Sequence, residues 1–318
     1  LASRPVSSQQ SSTASQFDLA VLGADDPLGG AVLQILGERE IAVGRLFPLT
    51  MRDPEASVVY RGQDWPCEPA EGFDFSQAQA LLVTSRSASA LRLSRDIHVR
   101  HPTLPVMTLD GIHPAPAVAV SRVLKTLAAL GGGIATADAF VALPTAVAGQ
   151  DGVEELATQS RGLFNMESPE PEVFPLQIAF NLVPHGATGD VPSYEGHLAE
   201  TSAKLAADAA FSVVWAPLFF GAAAALHART QRPLDVQSLR DALRHRDGIT
   251  LMEAELPAGT PTPATDAQGS EAVFVGRIRV DGVLARIWLV FDPIQMEAAQ
   301  LATAVENWID KPASSMLT

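Results

Sequence analysis

Residues 17–40, FDLAVLGADDPLGGAVLQILGERE, decide the architecture. The first seven are an apolar strand that ends on Gly23. From Leu28 the apolar residues fall at helical spacing, with Gly29 and Gly30 in the first turn. A strand running through a glycine turn into a helix opens a parallel sheet covered on both faces. Outward from it the alternation continues. Strands are expected at 41–49, 80–85 and 105–111, with a helix at 89–101 between the last two. The first part, residues 17–112, therefore reads as a nucleotide-binding-like half.

Beyond Gly111 the pattern changes. A helix begins near Pro116, a long strand follows at 133–143, and a helix runs from Gly152 to Phe164. Further strands are expected at 211–221, 222–230, 271–280 and 286–292, with a helix at 235–246. Long strands with helices grouped between them indicate an α+β domain on a mixed or antiparallel sheet, here over residues 113–294. Residues 256–270, LPAGTPTPATDAQGS, read as a mobile loop. Helix 295–310 is apolar on one face and needs a surface to dock on. The fold class is α/β, a nucleotide-binding-like half followed by this α+β domain.

Composition narrows the function classes. With 22 Lys and Arg against 36 Asp and Glu the net charge is -14, which argues against nucleic acid, whose binding rests on basic residues. No apolar run approaches the ~20 residues of a membrane span. The lone cysteine, Cys67, excludes an internal disulfide and fits a reducing, cytoplasmic setting. Residues 1–16 are rich in Ser and Gln and read as a disordered leader, or as the remnant of a transit peptide. The pair His98 and His101 has no neighbouring thiols, so no metal site is expected.

Five ordered segments carry a family resemblance. Residues 23–46, GADDPLGGAVLQILGEREIAVGRL, resemble the opening of aspartate-semialdehyde dehydrogenases, where a GATGxVG turn leads into a helix. Residues 149–165 resemble the helix after that family's active-site strand, and 175–186 its IAFN segment. Residues 215–221, WAPLFFG, resemble its RVPVFxG strand. Residues 274–282 and 287–292 resemble the strands that close its second domain. The resemblance implies a Rossmann-type domain, a catalytic and dimerisation domain, a C-terminal helix that packs back on the first, and a homodimer.

That family's reaction needs a cysteine thiolate to attack the aldehyde, a nicotinamide to accept hydride and phosphate to cleave the thioester. The nucleophile of an Asn-Pro-Asn-Cys motif at a helix start falls on Pro116, in His113-Pro114-Ala115-Pro116, and a first-turn proline accounts for it structurally. The family's substrate-binding arginine falls on Trp215, its histidine on Ala222 and its glutamine near Leu143. Of the Glu-x-x-Lys phosphate motif there is no match: Glu195 and Glu200 are present, but Lys204 has the wrong spacing. Cys67, flanked by acids, is the only alternative nucleophile and reads better as an idle, partly buried thiol.

The cofactor turn keeps Gly23 and Gly29, but Asp26 replaces the middle glycine, beside Asp25. Two carboxylates repel a pyrophosphate and are expected to cap and charge-compensate the helix instead. Arg52 stands where a 2'-phosphate contact could form, the alternative being a solvated side chain. No cofactor is expected, NADP being the candidate if any is bound. The expectation is a catalytically degenerate paralogue, similar to the Usg-type proteins, with a dimeric binding or regulatory role. The alternatives are an active NADP-dependent dehydrogenase of amino-acid biosynthesis using replaced residues, and a heterodimer partner of an active paralogue.

Overall fold

A computed structural model describes residues 17–167, 169–186, 194–253 and 259–309, so the leader 1–16 lies outside the described part. Strand β1 (Phe17–Leu22) passes through Gly23 into helix α1 (Pro27–Glu38) and back to β2 (Val43–Thr50). A hairpin of β3 (Ser57–Tyr60) and β4 (Gln63–Pro66) follows, then the short β5 (Glu68–Pro69). Strand β6 (Ala80–Val83), helix α2 (Ala88–Arg100) and strand β7 (Val106–Met107) complete a five-stranded sheet. Its order is β5-β2-β1-β6-β7, with every pairing parallel. Ala80, Leu81, Leu82 and Val83 are all buried, as a strand covered on both faces requires. The chain leaves β1 first to one side and later to the other. The carboxyl end of β1 is therefore a switch point, where open sheets of this kind leave a crevice.

Helix α3 (Ala115–Gly131) leads into the ten-residue β8 (Ile134–Leu143) and then α4 (Gln150–Phe164). Strand β9 (Val183–Pro184), helix α5 (Tyr194–Leu205), strands β10 (Ala210–Trp215) and β11 (Ala222–Thr230), and helix α6 (Val236–Arg244) come next. Strands β12 (Ile249–Leu251), β13 (Val273–Asp281) and β14 (Leu284–Phe291) finish a seven-stranded mixed sheet, order β12-β13-β14-β11-β8-β10-β9. Along β8, Ala137, Ala139 and Val141 are buried whereas Asp138 and Phe140 are exposed. This alternation gives the sheet one covered face, where Val120, Val123, Leu124 and Leu127 of α3 share a core with Leu226, Leu239 and Ile287.

Helix α7 (Pro293–Ile309) starts on the buried Asp292, whose Oδ1 accepts the N–H groups of Ile294 (2.9 Å) and Gln295 (3.2 Å). It then returns to the first sheet. Val305 and Ala302 share a core with Val32 and Leu36 of α1, and Arg39 donates to Thr303 (2.9 Å) and Glu306 (3.1 Å). Among the described residues no helix is long and apolar enough to cross a membrane.

One expectation about loops needs correction. Residues 254–258 lie outside the described part, but 259–270 are packed rather than mobile. A π-helical turn at Pro263–Ala267 lays Ala267 against Ala223 and Val290, and the Trp288 indole donates to the Pro261 carbonyl at 2.9 Å. Gly221 (φ +75°) makes the approach possible, since a Cβ there would stand 2.3 Å from the Pro263 carbonyl oxygen. The partners that fix this segment come from β11 and β14, so its own composition does not reveal them.

Candidate functional site

The glycine turn comes first. Gly23 (φ +84°) lies so close to Ser85 that a Cβ would be 2.6 Å from that side chain, and a Cβ on Gly29 would strike the Gly23 carbonyl oxygen at 2.2 Å. Both glycines are required for α1 to sit on the end of β1. The two aspartates between them do not cap α1. Asp26 occupies its N-cap position, yet its side chain makes no bond to that helix. Its Oδ1 instead accepts the backbone N–H of Gln150 at 3.1 Å, the first residue of α4. The physical reason is competition: α4 begins after Gly149, which has no side chain to cap it, so its bare N–H draws the nearby carboxylate.

Asp25 turns the other way. Its Oδ2 accepts the Thr50 hydroxyl at 2.7 Å, while Oδ1 is buried with no partner among the described residues. Burial pushes this carboxyl above the ordinary range, against the opposing pull of Thr50 and Arg52. Arg52 is neither solvated nor free for a phosphate. Its Nε lies 2.6 Å from Asp151, its Nη2 3.0 Å from Glu154 and its Nη1 3.8 Å from Asp25. Cys67 is buried, and burial together with the charge of Asp25 pushes its thiol up to about 11. A thiol held neutral is a poor nucleophile.

The second group lies at the ends of three strands. Leu143 of β8 is paired with Trp215 of β10, and Ala222 of β11 stands one residue beyond the Ala223–Ala142 pair. The three positions therefore form one row, and the start of α3 packs on the same core. Pro116 is buried as the second residue of α3, one place later than a helix-first proline. The fold thus brings Pro116, Leu143, Trp215 and Ala222 to one region. It keeps Gly23, Gly29 and Arg52 at the other site, beside the end of β1.

Two features of this region are not visible in local sequence. Glu297 of α7, almost wholly buried, accepts the N–H of Ala115 through Oε1 (3.1 Å) and forms a short ion pair with Arg86 through Oε2. The first free donor of α3 is thereby taken by a carboxylate 182 residues away in the chain. The one available signal was a glutamate inside the apolar run MEAAQLA. The second feature is a stack: the His185 ring lies 5.2 Å from Trp215 and 4.8 Å from Tyr194, and Phe174 meets Trp215 edge-on at 5.2 Å. Burial lowers the His185 pKa and raises that of Tyr194. Glu195 is spent on a backbone bond to Val213 at 2.7 Å. His98 is exposed, and among the described residues no group of His, Cys, Asp or Glu could hold a metal ion.

A parallel sheet with a glycine turn, joined to a mixed sheet bearing this row, is matched by known proteins. Residues 132–294 match the semialdehyde dehydrogenase dimerisation domain. The chain is 30% identical to the USG-1 protein homolog of Azotobacter vinelandii, over 90% of this chain and 96% of that one. It is 28% identical to aspartate-semialdehyde dehydrogenase 2 of Vibrio cholerae, over 91% and 96%. Aspartate semialdehyde dehydrogenase II of Vibrio cholerae, solved in complex with ASA, superposes with a TM-score of 0.73 at 25% identity, covering 92% of this chain and 99% of that one. The Candida albicans enzyme, solved with NADP, shares the fold with a TM-score of 0.62 at 14% identity, over 95% and 100%. Fold and comparisons define a dehydrogenase-type chain with a dimerisation domain. It belongs to the aspartate-semialdehyde dehydrogenase family.

Proposed function

We propose that this chain is a non-catalytic paralogue of aspartate-semialdehyde dehydrogenase that acts as a dimeric binding or regulatory protein. The observation that carries the proposal is the start of α3. Where the family's nucleophile position falls, Pro116 offers no reactive group, and Glu297 already holds the N–H of Ala115. A helix start that would stabilise a thiolate is neutralised from within. Along the neighbouring row, Leu143, Trp215 and Ala222 offer no group able to move a proton or grip a carboxylate. Losing the nucleophile alone removes on the order of a million-fold in rate from such a unit.

The residues at the glycine turn do not fit NADP. The Asp26 carboxylate stands beside the turn where a pyrophosphate would approach, and Arg52, the residue read as a 2'-phosphate contact, is already bound by Asp151 and Glu154. No step is derived through the cofactor. A homodimer is supported by large apolar side chains left exposed in the matched domain, Phe140, Phe164, Met166, Leu176 and Phe180 among them. The same surface would serve a mixed dimer with an active relative, a reading that fails if co-expression of the two yields only homodimers. A single buried cysteine accords with a cytoplasmic setting.

The deciding experiment is a phosphate-dependent oxidation of aspartate semialdehyde with NADP, run beside a calorimetric titration of the cofactor. No turnover and no heat are expected. Turnover at any rate above the enzyme-free control overturns the proposal.

A further inference from the structure

Near the far edge of the second sheet, three arginines are among the residues that line a cavity of about 180 Å³: Arg240 from α6, and Arg277 and Arg279 from β13. The site is separate from the row at Trp215. By strand order β13 and β10 are four spacings apart, roughly 19 Å at the usual distance between strands. Strand β12 pairs with β13 only as far as Val275, and the Met252 N–H closes that ladder on the Val275 carbonyl at 2.8 Å. Beyond this point β13 bulges, its register against β14 shifting between Gly276 and Arg279.

Two features of the bulge are unfavourable in isolation. Arg277 holds φ +50°, a left-handed conformation that strains a side chain of its size. Arg279 lies directly opposite Arg286 on β14, a like-charge pair across the strands. Among the described residues no ion pair with a carboxylate offsets either cost. Among the described residues no hydrogen bond or ion pair engages Arg240, Arg277 or Arg279. Glu253, on the cavity wall, is already paired with Arg244 at 2.5 Å. In a chain of net charge -14, three arginines around one small cavity concentrate positive charge locally.

We propose that this cavity is a binding site for a phosphate group, free or carried on a small molecule. Its volume admits a phosphate group, and planar guanidinium forks match phosphate oxygens in pairs. The bound charge would relieve the Arg279–Arg286 repulsion and recompense the strained backbone at Arg277.

The test follows thermal unfolding of the full chain in inorganic phosphate, in glycerol phosphate, and in sodium chloride of equal ionic strength. Phosphate at about 10 mM is expected to raise the midpoint by about 2 °C over chloride. An equal rise with glycerol phosphate would show that a carried phosphate is accepted, and no rise would restrict the site to the free ion. Arg277→Gly separates binding from folding, because it releases the strain while removing a charge. Its midpoint in chloride should rise and its response to phosphate should vanish. Arg240→Gln, which leaves the bulge untouched, should also lose most of the response. The proposal falls if phosphate and chloride act alike on the unaltered chain, or if the variants respond as it does. It falls too if Arg277→Gly turns a dimer into a monomer, which would make these arginines contacts between copies.

Discussion

Two helix starts in this molecule receive carboxylates from elsewhere, and a third does not. The first donor of α3 is held by Glu297 of α7, and that of α4 by Asp26 of the glycine turn. Helix α1, which Asp26 precedes, receives no side-chain cap. The two supplied starts belong to the second sheet and the unsupplied one to the first. The difference teaches that anion-binding capacity can be used up internally without loss of the fold. A carboxylate that caps a helix other than the one it precedes or belongs to leaves the backbone intact and occupies that helix's first free donor.

The comparison can be broken at each of its contacts. The largest effect is expected from Glu297→Ala, which leaves Arg86 without its partner and Ala115 without its acceptor. A loss of about 2 kcal/mol, read from the urea midpoint, is anticipated because a buried carboxylate is removed and a partly exposed arginine and a helix N–H lose their partner. Asp26→Ala removes the cap from α4 and should cost about 1 kcal/mol in the same assay. Equal stability would show that the Gln150 contact contributes nothing. The smallest effect should come from Asp25→Asn. Burial raises the Asp25 pKa in the folded state, so its proton is held more tightly there than in the unfolded chain, where the value is near 4. That advantage to folding exists below about pH 4 and is lost as pH rises through the folded value. The substitution should therefore stabilise the protein at pH 7, by under about 1 kcal/mol, and the gain should close as the pH falls to about 4. Thermal midpoints across this range would show it, and a constant difference would contradict the assignment.

The two regions also differ in how far they can be read from sequence. Residues 17–40 contain both the strand and the helix of the first turn, together with the glycines that let them pack, so the fold announces itself locally. Leu143, Trp215 and Ala222, singled out by motif on separate strands, lie in one row of the second sheet. The destinations of Asp25, Asp26 and Arg52 could not be read in this way. Thr50 comes from the neighbouring strand β2, while Gln150 and Asp151 come from α4 and are set by how the two parts of the molecule meet, and Arg52 viewed alone looks solvated. Glu297 was hidden for the same reason. The hairpin β3–β4 escaped notice because its turn is Arg61-Gly62, with Arg61 at φ +50° and Gly62 at φ +73°, where Asn-Gly or Asp-Gly would have marked it.

The indole of Trp215 touches three apolar clusters at once, those of the first sheet, the second sheet and the segment around Phe174 and Ile178. A residue shared in this way couples their fates. Neither sheet can open without stripping the other of part of its own interior, so this one side chain acts as a rivet between the two parts, beside the contacts of α7, Asp26 and Arg52.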